Sequence, residues 1–211
     1  MNTGFNPEAF TRPAFRLADR ARRAFWNLAY ALLFRPSPRP CHAWRRFILR
    51  CFGAGLGQGC HVYPKAVIWA PWNLRMGEGA AIADGAEVYN PAPVDIGEYA
   101  VISQGAYLCG ASHDYRLWHF PLIASPITVG KHAWVAARVI VQMGVRIGDG
   151  SVIGAGSVVT RDMPAWSVCA GNPCRVIKSY RKDDAAQTQT ISPPETSAPR
   201  RRESAFNTKA L

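Results

Sequence analysis

The sequence predicts an all-β fold: a three-sided solenoid of parallel strands, just under five coils long. An N-terminal helical arm precedes it, and one loop protrudes from it. Three observations carry this. Large apolar residues recur every sixth position from residue 62 onward. The fourth residue after each is small or β-branched in 12 of 14 hexads, with only Trp72 and Met163 departing. The chain is 48% hydrophobic and 18% charged, which excludes wholesale disorder. Collagen is excluded by the lack of a Gly-X-Y period. A disulfide-stapled miniature is excluded because six cysteines are too sparse in 211 residues.

The arm, residues 1–55, comes first and holds most of the charge. Residues 1–50 carry a net +8, residues 51–180 a net +1 and residues 181–211 a net +2. A basic total of +11 invites a nucleic-acid reading. The distribution argues against one, because the body is almost neutral. Residues 24–34, AFWNLAYALLF, form the longest apolar run, about half the ~20 residues needed to span a bilayer. A second basic-aromatic block, AWRRFILRCF, follows at 43–52. Such blocks suit either a helix lying on an anionic membrane surface or one packed on protein. Neither CxxC nor zinc-like Cys/His spacing occurs, so reduced thiols and a cytoplasmic setting are expected. The inner face of the membrane is the alternative seat for the arm.

The solenoid domain, residues 56–180, follows from its period. Six matches neither the 3.6 of a helix nor the 2 of an amphipathic strand. It suits a short strand plus a corner, with one large inward residue per side. The ladder runs Val62, Ile68; Met76, Ile82, Val88; Ile96, Ile102, Leu108; then Val129, Val135, Val141, Ile147, Ile153 and Val159. Small residues at the second position and glycines such as Gly79, Gly85 and Gly150 are read as making the corners. Three sides make a coil of about 18 residues, stacked about 4.8 Å from the next. This repeat explains a fold and no chemistry, so function is sought where the beat breaks.

It breaks first at the loop, residues 112–128, which carries His113, Asp114, Tyr115, Trp118 and His119. A histidine on a loop of a rigid scaffold suits general-base work. The competing reading is a loop whose His and Trp pack on another subunit. The beat breaks again at its end, where Thr160, Arg161, Arg175 and Lys178 cluster in sequence. Basic and hydroxyl groups there suit phosphates, or simply cap an open sheet edge. The tail, residues 181–211, is rich in Ser, Thr, Pro, Gln and Arg and reads as disordered.

IGDGSVIGAGSVVTRDMP followed by AGNPCRVI resembles the C-terminal half of hexapeptide-repeat O-acetyltransferases. LLFRPSPRPCHAWRRFILRCFGA, IWAPWNL, ISQGAYLC and SHDY resemble the colanic-acid biosynthesis branch of that family. The resemblance implies a left-handed parallel β-helix, a homotrimer, and acetyl-CoA held between neighbouring prisms. It implies transfer of acetyl to a sugar or lipid-linked sugar hydroxyl in exopolysaccharide assembly, with no metal. His113 matches the family's base, and Asp114 or a backbone carbonyl would orient it. Asn90 matches an acceptor-binding Asn. Trp134 matches the Trp that borders the acetyl-CoA tunnel, and Ala137 and Ala155 match coil positions whose backbone contacts the pantetheine arm. Thr160, Arg161, Arg175 and Lys178 match groups near the nucleotide end of CoA. Ala137 stands where several relatives have Ser, and SHDY replaces an HPxH pattern.

Three rival readings remain. A ping-pong route would use Cys109 as nucleophile. A γ-carbonic-anhydrase-like lyase would need His113, His119 and His132 to converge on zinc. A non-catalytic scaffold would keep the fold alone.

Overall fold

The computed structural model describes residues 17–180. The proposed disordered tail and the first part of the arm lie outside the described residues. The body is a left-handed parallel β-helix with three faces. Face A stacks β1 (Gly55–Leu56), β4 (Leu74–Met76), β7 (Val94–Ile96), β12 (Ile127–Val129) and β15 (Arg146–Ile147). Face B stacks β2 (His61–Val62), β5 (Ala81–Ile82), β8 (Val101–Ile102), β13 (Trp134–Val135), β16 (Val152–Ile153) and β18 (Ser167–Ala170). Face C stacks β3 (Val67–Ile68), β6 (Glu87–Tyr89), β9 (Tyr107–Cys109), β14 (Ile140–Gln142) and β17 (Val158–Val159). All these pairings are parallel; β19 (Arg175–Ser179) closes face B antiparallel to β18.

The period-six ladder is the core. On face B, Val62, Ile82, Ile102, Val135, Ile153 and Cys169 lie in register and are buried. The stack runs between five and six coils, longer than the hexads suggest, because β1 starts it early and β18 ends it late. The corner between faces C and A also differs from expectation. Its two inserted residues make Leu74, Val94 and Ile127 the inward groups, all 0% exposed. Trp72 and Ala92 are only half-buried and Ser112 is exposed, so the second-position rule fails there.

Two glycines show what the corners require. A Cβ on Gly148 would lie 2.4 Å from the Ala165 nitrogen, so close coil approach selects it. Gly150 has φ +64° and lies under the Trp166 ring. Freedom of rotation explains only the second.

The arm folds as α1 (Leu17–Ala29), prolonged by a wider turn at Tyr30–Phe34, then α2 (His42–Cys51). It closes the first coil. The Ile68 carbonyl accepts from Trp26 Nε1 at 2.6 Å, and Val62 from Arg45 Nε at 2.6 Å. Cys60 accepts from Arg46 and Leu56 from Arg50, each at 2.8 Å. Carbonyls that no preceding coil could pair are thus satisfied by side chains. Among the described residues no helix is long and apolar enough to cross a membrane.

Candidate active site

The loop leaves the prism at the C–A corner as a hairpin. β10 (Ala111–His113) pairs antiparallel with β11 (Leu122–Ala124), and face A resumes at Ile127. The Asp114 side chain accepts from the Arg116 backbone N–H at 3.1 Å and forms a turn. Its carboxylate also takes both Nε and Nη2 of Arg116 at 2.8 Å. These bonds hold the Asp114 carboxyl down at about 2. Asp114 is therefore committed to Arg116.

His113 is oriented instead by backbone. Its Nδ1 lies 2.5 Å from the Phe120 carbonyl oxygen. A carbonyl only accepts, so Nδ1 carries the proton and Nε2 keeps a lone pair. Phe120 aims that carbonyl from the left-handed region, φ 43°, a strained choice for a bulky residue. Of the two orienting partners open in the sequence, the structure uses the carbonyl.

The Cys109 thiol, half-buried, donates to the Ala111 carbonyl at 3.2 Å. His132 does not join His113 and His119: its ring stacks on Tyr99, centroids 5.4 Å apart. Among the described residues no three His, Cys, Asp or Glu side chains could hold a metal ion together.

Asn90 departs from its expected place. It is fully buried, its Oδ1 accepts from Ala70 N and its Nδ2 donates to Ala70 O. It clips successive coils and presents neither amide atom to an acceptor. Beside it lies a cavity of about 260 Å³ lined by Asp19, Arg22, Trp69, Trp72, Asn73 and Pro91. Asn73 Nδ2 donates to the carbonyls of Asn90 and Pro91, fixing the cavity floor. This cavity shares the C–A edge with the loop, because Gly110 N bonds Tyr89 O one coil below. Sequence reading missed it because its walls come from α1 and two separate coils; the pair Trp69 and Trp72 was the available signal.

The remaining predicted residues lie elsewhere. Trp134 stands on the outer side of face B, 49% exposed, with Nε1 donating to Ser103 Oγ at 2.8 Å. A groove of about 480 Å³ adjoins it, where Ala81, Ala83 and Ser103 leave room beneath Arg39 and Tyr63. Ala137 and Ala155 stack on successive coils at the B–C corner, where Gly156 N bonds Ala137 O. Arg175 and Lys178 extend exposed from β19 at the end of face B. Thr160 and Arg161 are exposed after β17, at the C–A corner. His113 thus projects from the corner opposite face B, and one chain does not bring it to Trp134.

Known proteins bear on this arrangement. A family model described as bacterial transferase hexapeptide (six repeats) matches residues 126–161. Over 164 residues, 78% of this chain and 90% of the relative, the sequence is 41% identical to a chain assigned as the colanic acid biosynthesis acetyltransferase WcaF of Escherichia coli K12. The chain belongs to the hexapeptide-repeat acetyltransferases. This acetyltransferase also superposes on a galactoside acetyltransferase solved with coenzyme A, at TM-score 0.74 and 27% identity, over 81% of this chain and 86% of that one. A Vibrio cholerae hexapeptide-repeat acetyltransferase solved with acetyl coenzyme A gives TM-score 0.72 and 26% identity, over 80% and 92%. As an acyltransferase of this family, it carries its one oriented loop histidine on the hairpin just described.

Proposed function

We propose that this enzyme transfers acetyl from acetyl-CoA to a hydroxyl of a sugar or lipid-linked sugar during assembly of a colanic-acid-like exopolysaccharide. The observation that carries the mechanism is the His113–Phe120 bond, which leaves Nε2 free as a base. The acceptor and donor classes are supported by the named activities and bound molecules of the relatives. Nε2 takes the hydroxyl proton as the oxygen bonds to the thioester carbonyl carbon. The tetrahedral intermediate collapses, the C–S bond breaks, and the imidazolium returns its proton to the departing CoA sulfur. Positioned base catalysis of this kind is worth about 10²–10⁴-fold.

The acceptor occupies the cavity on the C–A edge. Trp69 and Trp72 line it with a guanidinium over each ring, Arg23 at 3.9 Å and Arg22 at 4.1 Å, and Asp19 and Asn73 beside them suit a sugar's hydroxyls. Asn90 supports that cavity from behind. Acetyl-CoA lies along face B of a neighbouring copy, past Trp134, Ala137 and Ala155. Its phosphates reach the cationic Arg175 and Lys178, with Thr160 and Arg161 at the same end. Because His113 sits opposite face B, each site takes its base from one copy and its groove from the next, in a cyclic trimer. The exposed loop tip, with Tyr115 and Trp118 at 83% and 76%, is apolar surface for that contact.

The test is CoA-thiol release from acetyl-CoA over a panel of sugar and lipid-linked sugar acceptors, with His113→Ala in parallel. Acceptor-stimulated release that falls at least about 10²-fold in the variant is expected. Stimulated release that survives the substitution removes His113 as base and favours Cys109. Folded, CoA-binding protein that turns over no acceptor would favour the scaffold reading.

A further inference from the structure

The outer side of α1 is apolar and uncovered. Leu17, Ala21, Phe25, Leu28 and Leu32 fall on one helical stripe. Trp26, Tyr30 and Phe34 occupy the opposite side and pack on the prism with Phe52. Leu17, Phe25, Leu28 and Leu32 remain 78%, 69%, 58% and 65% exposed. At the end of the stripe the Trp44 indole donates to the Leu33 carbonyl at 2.9 Å and stacks on Phe47. Both rings are exposed as well.

Charge decides what fits this surface. Residues 17–52 contain eight arginines, one acidic residue (Asp19) and no lysine, a net +7. Arg45, Arg46 and Arg50 are held on coil carbonyls, Arg22 and Arg23 lie over Trp72 and Trp69, and Arg39 pairs with Asp84, while Arg20 and Arg35 stand exposed on either flank of the stripe. A second copy would bring an arm of the same sign. Its face A offers only an alternation, with Arg75 and Asp95 paired at 3.7 Å and Arg146 beyond. An anionic lipid surface matches both features. It accepts Phe, Leu and Trp at the headgroup boundary and meets guanidinium groups with phosphate. The helix is too short to cross, so it lies in the plane.

We propose that α1 and α2 seat this protein on an anionic membrane surface. Phe25, Leu28, Leu32, Trp44 and Phe47 enter the interface, and Arg20 and Arg35 meet lipid headgroups. The proposal is independent of which acceptor is acetylated.

The experiment is co-flotation of the full chain with vesicles of phosphatidylcholine alone and of phosphatidylcholine with phosphatidylglycerol. Binding to the anionic vesicles only, weakened by salt, is expected. The variant Phe25→Glu/Leu28→Glu/Leu32→Glu should bind at least about tenfold more weakly. Arg20→Gln/Arg35→Gln leaves the apolar stripe intact and reports even if the triple variant misfolds. It should also lose about 25-fold, near fivefold for each charge. Equal binding to neutral vesicles, no binding at all, or unchanged binding of the arginine variant would overturn the proposal. A triple variant that elutes at a smaller oligomeric size would overturn it too, by assigning the stripe to subunit packing.

Discussion

At the scale of single residues, the loop histidine and its neighbour divide their tasks unevenly. The Phe120 carbonyl orients His113, while Asp114 is spent on Arg116. Asp114→Asn should therefore reduce kcat by less than about tenfold, against at least about 10²-fold for His113→Ala, in the same thiol-release assay. A comparable loss in both would mean the carboxylate acts on the imidazole. His42 gives a second prediction. Burial holds its ring below the ordinary value of 6.5, opposed by the bond to Val62 and reinforced by Arg45, His61 and Arg46. The unfolded chain then binds this proton first, so His42 stabilises the fold above its unfolded value and less as pH falls through it. Thermal midpoints taken from about pH 8 to pH 5 should decline, and His42→Gln should flatten the decline. An identical slope in the variant would place the acid sensitivity elsewhere.

At the scale of elements, Arg45 joins α2 and the connection at residues 37–39 to the first coil. Fully buried, it donates to Val62 O, Ser37 Oγ, Pro38 O and Arg39 O at 2.5–2.8 Å. Arg45→Met keeps bulk and removes every donor, stranding several acceptors. It should destabilise the protein by about 3 kcal/mol, read as the denaturant midpoint at unchanged m-value. A shift within about 0.5 kcal/mol would mean that solvent replaces these bonds at no net cost. The sequence exposed α2 as a basic-aromatic block but not this role, because three of the four acceptors are backbone carbonyls and leave no trace in side-chain pattern. The ladder was legible for the opposite reason: one inward residue per side repeats identically. Its ends were obscured where a rung is weakly apolar, as in the Gly55–Leu56 strand, or shifted, as at Met163, which bridges Ile147. The corner with Leu74 and Val94 was misread because two inserted residues move the inward position while leaving the six-residue count intact on either side.

At the scale of the whole molecule, a linear stack has no single centre in which to gather a site. Residues close in sequence, such as Thr160 and Arg175, leave on different sides of the prism, while Asp19 and Pro91, far apart in sequence, line one cavity on a single edge. His113 could be picked from sequence because a break in period marks it. The cavity proposed for the acceptor could not, since α1 supplies two of its walls, Asp19 and Arg22. The proposed sharing of sites between copies has a direct test. His113→Ala and Trp134→Ala, each impaired alone, should regain activity when unfolded together and reassembled. About a quarter of the sites in randomly mixed trimers would combine an intact loop with an intact groove. Mixtures no more active than the mean of the two parents would confine each site to one chain.

The closure of the first coil by Trp26, Arg45, Arg46 and Arg50 also fixes an order of events during synthesis. The arm leaves the ribosome before any rung it covers, and domains assemble from the N-terminus as the chain emerges. Each solenoid layer needs a neighbour to stand on. Here the segment that covers the first layer is synthesised before it, so arm and first coil fold onto each other and growth proceeds in one direction from there. The starting end of the stack is thus never a bare template for another nascent chain, even while the far end is still being built.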